Sequence, residues 1–130
     1  MSFNYSEFEE FINKFKKISI GFNKFLFNFL TQNAIEALEK TKQRTPEDTG
    51  LLRKSWEITK VSRKGNELIV YLYNDKEYAS YVEMGHSTPN GDGWVEGYYM
   101  MTISIEEVAR NIPKNFEKEF AMFIKRCGVE

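Results

Sequence analysis

The chain has 130 residues, 42% hydrophobic, 28% charged and 15% aromatic, with Phe the main aromatic type. That composition describes one globular domain, 1–130, rather than a disordered segment. Eighteen Lys and Arg against 19 Asp and Glu leave a net charge of -1, which excludes the basic footprint of a nucleic-acid binder and the polybasic patch of a membrane anchor. A single Cys, Cys127, and a single His, His86, exclude an intrachain disulfide framework and a multi-Cys zinc site, and suit a reducing compartment. The longest apolar run, Ile18 to Leu30, is interrupted by Ser19, Gly21, Asn23, Lys24 and Asn28 and is too short to span a bilayer. Glu7, Glu9 and Glu10 stand where a signal peptide carries positive charge, so the chain is expected to be soluble and intracellular at synthesis.

In chain order, Ser6-Glu7-Phe8-Glu9 has the form of a capping box, in which a hydroxyl and a carboxylate satisfy each other's free N–H groups at a helix start. Phe8, Phe11, Ile12 and Phe15 follow at helical spacing. Gly21 predicts a break, after which Phe22, Phe25, Leu26, Phe29, Leu30, Asn33, Ala37 and Leu38 form one apolar stripe. Phe27 falls off that stripe and is expected in the core, or else on a second contact surface. Thr45-Pro46 ends the N-terminal helices, 6–44, because the residue before proline disfavours helix. A β core over 45–98 comes next. Asp48 and Thr49 can cap a short turn through Gly50-Leu51-Leu52-Arg53, with Glu47 and Asp48 read as capping rather than catalytic acids. Trp56 to Val61 and Glu67 to Tyr73 read as strands joined by the turn Arg63-Lys64-Gly65-Asn66. The second, apolar on both faces, reads as a central strand. Tyr78, Tyr81 and Val82 mark one face of a short helix, 77–84, ended by Gly85. Residues 86–93 read as a loop, and Trp94-Val95 as a short strand. C-terminal helices over 99–127 carry Met101, Ile105, Val108 and Ile112 on one face. Pro113 kinks or restarts the helix, and Phe116, Phe120, Phe123 and Cys127 continue it. The expected class is α+β: a small antiparallel β-sheet packed by a long N-terminal helix and C-terminal helices.

No constellation carries chemistry. Any triad or metal site must use His86, near Glu83, Ser87 and Asp92, but that spacing matches no catalytic motif and lies in a loop. The Asn90-Gly91-Asp92-Gly93 run lacks the alternate acidic ligands and final Glu of an EF-hand, and there is no Gly-Lys-Ser/Thr phosphate loop. Cys127 reads as a packed thiol on the Phe stripe. Tyr71, Tyr73, Tyr78, Tyr81, Trp94, Tyr98 and Tyr99 could stack on bases, but base-stacking platforms accompany basic grooves; core and protein interface are the preferred uses. No catalytic, cofactor-binding or metal residue is expected, and no cofactor.

Three ordered segments carry a resemblance. Thr45-Pro46-x-Asp48-Thr49-Gly50-x-Leu52-x-x-Ser55-Trp56, then Tyr78-Ala79-x-Tyr81-Val82-Glu83-x-Gly85-His86, then Gly97-x-x-Met100-Met101 resemble the neck and tail-completion proteins of tailed phages, typified by the tenth gene product of phage Hong Kong 97. The resemblance implies a non-enzymatic structural role in a phage, prophage or phage-tail-like particle. The subunit would form a homo-oligomeric ring that joins head to tail or completes the tail, touching neighbouring connector and tail-tube or terminator proteins. It would sit in the virion, at the neck or upper tail, after synthesis in the host cytoplasm, with no membrane and no sequence-specific nucleic acid as partner. The motif residues Asp48, Thr49, Gly50, Ser55, Trp56, Tyr78, Tyr81, Glu83, Gly85, Gly97 and Met100 are expected to be structural. Gly50 would allow a tight helix entry and Gly85 a left-handed exit, while Trp56, Tyr78 and Tyr81 would supply rigid area where sheet and short helix meet. The alternatives are a small hydrolase centred on His86 and a nucleic-acid-binding module.

Overall fold

The computed structural model describes residues 5–46 and 50–128, the side chains at 5, 7, 8 and 11 excepted. The fold is α+β. Its spine is α1 (Tyr5–Arg44), a single helix of 40 residues, about 60 Å long at 1.5 Å per residue. Gly21 does not break it. The glycine lies on the face that meets the C-terminal helix, where a Cβ would stand 3.5 Å from the Phe123 ring, an ordinary van der Waals contact. The helix already includes Tyr5, so Ser6 lies inside its first turn rather than at the cap. The Phe8 and Phe11 side chains lie outside the described residues, and Phe15, on the same expected stripe, is exposed.

From Gly21 onward α1 runs antiparallel to α4 (Met100–Arg126). Phe22, Phe25 and Phe29 interleave with Phe116, Phe120 and Phe123 at centroid separations of 5.1 to 6.2 Å, which places the predicted stripes of the two helices against each other. α4 continues through Pro113 as one helix. The other end of the helix pair is polar. Arg44 Nη1 donates to Ser104 Oγ at 2.9 Å, its Nη2 bonds Glu107, and Lys40 Nζ lies 3.3 Å from the same carboxylate. At this end the buried face of α4 differs from expectation at Ile105. Met100, Ser104 and Val108 are inside and Ile105 is exposed; the buried Ser104 hydroxyl accepts from Arg44 and donates to Met100 O at 2.6 Å, so the polar side chain is satisfied there.

Glu47, Asp48 and Thr49, the expected caps of the next turn, lie outside the described residues. Then come α2 (Gly50–Lys54), β1 (Trp56–Ile58), β2 (Ser62–Lys64), β3 (Glu67–Ile69) and β4 (Leu72–Asn74). The four strands form one hairpin in two antiparallel ladders, β1 with β4 and β2 with β3. Between the pairs Ile58 with Leu72 and Ser62 with Ile69, residues 59–61 face only residues 70–71. That extra residue is a bulge, which bends the hairpin. Its end is a two-residue turn with Gly65 at φ 64°, the conformation glycine supplies at the first turn position. Here two expectations are corrected. The 67–74 run has one neighbouring strand among the described residues rather than two, and its outward side chains Tyr71 and Tyr73 are exposed. Phe27 is half-buried, with the guanidinium of Arg63 on β2 lying 5.9 Å above its ring.

The core lies where α1, α2, β1 and α4 converge. Leu52, Trp56, Ala79 and Met100 are buried together, with Leu38, Leu72, Val82 and Met101 around them. The Trp56 indole N–H donates to Thr45 Oγ1 at 2.9 Å, and that hydroxyl donates to Thr41 O at 2.8 Å. Thr45 therefore ends α1 and satisfies the buried tryptophan at once, as a buried indole requires.

Candidate functional site

The conspicuous construction is the junction between α3 (Ala79–Met84) and α4, where most of the second and third motif residues meet. Tyr99, the residue before α4, offers no side-chain cap; neither it nor its neighbours are the Ser, Thr, Asp or Asn that helix starts prefer. The cap comes from α3 instead. Glu83, 5% exposed, accepts hydrogen bonds from Met101 N at 2.9 Å, Thr102 N at 2.8 Å and Thr102 Oγ1 at 2.7 Å. A buried carboxylate needs such compensation, and the positive end of the α4 dipole adds to it. In return Tyr98 N donates to Val82 O at 2.8 Å and Tyr99 N to Glu83 O at 2.9 Å, so the leader of α4 satisfies carbonyls at the end of α3. Each helix caps the other.

Two glycines make the mutual capping possible. A Cβ at Gly97 would lie 2.3 Å from Glu83 O and 2.6 Å from Gly85 N, and one at Gly85 would lie 2.4 Å from Val95 O. Neither position has room for any other residue. Gly85 leaves α3 at φ 91°, ψ 175°, a region open essentially to glycine alone, rather than by the left-handed exit expected. It starts β5 (Gly85–Ser87), which pairs antiparallel with β6 (Trp94–Glu96). His86 and Ser87 are thus in a strand, opposite Val95 and Trp94, and the loop shrinks to 88–93. That loop is tied by Thr88 N to Gly93 O at 2.9 Å and Gly93 N to Thr88 Oγ1 at 3.0 Å. Tyr99 sits in the left-handed region at φ 50°, ψ 40°. Its hydroxyl donates to Glu96 at 2.8 Å, and that bond, together with the Glu96 charge, holds the phenol above the ordinary tyrosine pKa.

The other motif residues divide sharply. Trp56 and Met100 are core. Ser55 closes α2, its hydroxyl donating to Leu51 O at 2.8 Å. Gly50 begins α2 with open space where a Cβ would stand. Tyr78 and Tyr81 were expected to fill the space between sheet and short helix, yet Tyr81 is 58% exposed and Tyr78 38%. Ala79 and Glu83 face inward instead, because the capping carboxylate fixes the rotation of α3 and turns the tyrosines out.

Both Glu83 oxygens are engaged by the α4 cap, which removes the acid nearest His86 in sequence. His86 lies against Tyr81, 5.7 Å between centroids with the rings tilted, and its buried Nδ1 has no hydrogen-bond partner among the described residues. Among the described residues no group of three or more His, Cys, Asp or Glu could hold a metal ion, and no helix is long and apolar enough to cross a membrane. Nothing in local spacing reveals the Glu83 cap, but a helix start with no cap of its own at 98–101, preceded by a Glu-x-Gly, is the signal that points to it.

No curated protein and no solved structure matches the chain. One family model does, described as "Bacteriophage HK97-gp10, putative tail-component", over residues 9–85. The match takes in α1, the hairpin and α3 and stops at Gly85, just short of the segment that closes on it. It spans more than half of the 130 residues, and the chain accordingly belongs to this HK97-gp10-like family of phage tail components.

Proposed function

We propose that the chain is a structural, non-enzymatic virion subunit of a phage, prophage or phage-tail-like particle, which forms a ring with copies of itself at the neck or as a tail-completion piece. It is made in the host cytoplasm and comes to rest between connector proteins and the tail tube or its terminator. The observation that carries this reading is the family match over residues 9–85. Local chemistry agrees with it. Glu83, Gly85, Gly97 and Met100 are committed to fixing one helix against another, and Trp56 to the end of α1. Such residues hold a shape, as a subunit must when its neighbours read its surface.

Deleting the gene from a particle-producing strain is expected to leave heads and tails unjoined, with a tagged copy restoring particles and labelling the neck or upper tail in negative stain. Normal, infectious tailed particles without the protein would overturn the proposal.

A further inference from the structure

Two ends of the molecule carry exposed apolar side chains and opposite charge. The first is the α1 arm. The last ring contacts joining the two long helices are those of Phe22 with Phe120 and Phe123, and α4 ends three residues later at Arg126. Residues 5–17 run on past that point for about 20 Å. There Phe15 is 62% exposed, beside the exposed Lys14, Lys16 and Lys17, and Ile20 at the base of the arm is 71% exposed. Between residues 11 and 35 the sequence has four Lys and no acid.

The second is the end built from α3 and the β5–β6 hairpin, where Tyr81, Met84, Trp94, Val95 and Tyr98 are exposed. Between residues 77 and 109 the sequence has no Lys or Arg; of its six acids Glu83 is held in the α4 cap and Glu107 by Arg44 and Lys40, while Glu77, Asp92, Glu96 and Glu106 are exposed. This end docks on the start of α4, beside the C-terminal end of α1. It therefore lies about 35 Å along the spine from Gly21, where the arm begins. No chain can bring its own arm to its own hairpin.

We infer that the basic, apolar arm of one copy docks on the acidic, aromatic α3/β5–β6 end of a second copy, head to tail. The inference rests on the ring proposed above and names the contact that would build it. Two different surfaces that complement one another give a heterologous interface, the kind that closes into a ring. An arm pairing with another arm would instead give a closed dimer. The aromatic side chains supply the contact area, and the opposite charges steer and orient it.

The test uses two variants at exposed positions, Phe15→Glu on the arm and Trp94→Glu on the hairpin, with far-UV circular dichroism and melting expected to match wild type. In analytical ultracentrifugation at low salt, wild type is expected to self-associate, less so at high salt. Each variant alone is expected to lose association at least about 30-fold. Mixed one to one, they are expected to form a two-chain species that grows no further, since Trp94→Glu keeps an intact arm and Phe15→Glu an intact hairpin end. Association by either variant at wild-type strength, or a mixture that stays monomeric, overturns the contact while self-association leaves the ring reading standing. A wild type that is monomeric alone yet forms visible rings in particles also overturns the contact only. Monomers in solution with no ring in particles overturn both.

Discussion

The α3–α4 junction and the N-terminal arm of α1 are opposites in how they use polar and apolar groups. At the junction the connecting groups are turned inward: the Glu83 oxygens go to the α4 cap, Gly85 and Gly97 leave no room for a Cβ, and Met100 is fully buried. On the arm Phe15, Ile20, Lys14, Lys16 and Lys17 all face outward. The joint beneath the β5–β6 hairpin is closed by backbone and carboxylate contacts, whereas among the described residues no such joint ties down the arm; exposed apolar side chains stand at both ends, Phe15 and Ile20 on the arm and Tyr81, Trp94 and Tyr98 on the hairpin end. In the ring we propose, the joint beneath the β5–β6 hairpin would fix where that hairpin stands relative to α4.

The junction can be broken directly, and the largest effect is expected there. Gly97→Ala sets a methyl group against the Glu83 carbonyl and Gly85 N–H, where only backbone can give way. A loss of about 3 kcal/mol is expected, read as a fall in Tm on the order of 10 °C. A melting curve that matches wild type would contradict the close approach. Glu83→Gln comes next. It keeps the size but removes the charge at the α4 N-terminus, and it presents an amide donor to one of the two N–H donors now served by a carboxylate. About 1–2 kcal/mol is expected, with hydrogen exchange at residues 101 and 102 rising more than elsewhere.

Between the two regions lies the Arg44–Glu107–Lys40 clamp. The Arg44 hydrogen bond, then that of Lys40, holds the Glu107 carboxyl below its ordinary pKa, against the opposing pull of desolvation. A folded-state pKa below the unfolded one means stability that is present at neutral pH and is lost as pH falls through the ordinary glutamate range and below it. Glu107→Gln should therefore cost stability near neutral pH and flatten the acid limb of a Tm-against-pH profile. Parallel profiles for wild type and variant would show that the clamp contributes nothing.

Much of this was legible in the sequence, and the exceptions have a common cause. The Phe22-to-Leu38 stripe, its stop at Thr45-Pro46, the hairpin with its Gly65 turn, the short helix ending at Gly85 and the Phe116–Phe123 stripe all follow from local spacing. What spacing cannot give is rotation set by a distant partner. Tyr81 and Ile105 sit on plausible apolar faces, yet Glu83 and Ser104 are inside in their place, because each answers a polar group some 18 to 60 residues away in the chain. The strand expected to be central failed for a similar reason, since an apolar run does not say how many neighbours it will find. At the motif, Glu83 and Gly97 stand out in the sequence only as members of a spaced pattern, and the cap and the backbone contact they make appear only once α3 and α4 are brought together.

The smallest expected effect has the opposite sign and marks where the closed half of the spine gives way to the arm. Gly21 lies inside α1, where glycine is less favourable than alanine by about 1 kcal/mol. A Cβ there would meet Phe123 Cε2 at 3.5 Å and Cζ at 3.6 Å, which is ordinary van der Waals contact with the edge of a ring. Gly21→Ala should then stabilise the protein by about 0.5–1 kcal/mol, raising Tm by about 2–4 °C. A lower Tm would mean that α1 and α4 meet more tightly at this point than 3.5 Å of clearance implies. The same added methyl group is thus expected to strengthen the spine at Gly21 and damage the joint at Gly97. Measuring both separates a glycine that merely tolerates a neighbouring helix from one whose missing side chain holds two segments of backbone in contact.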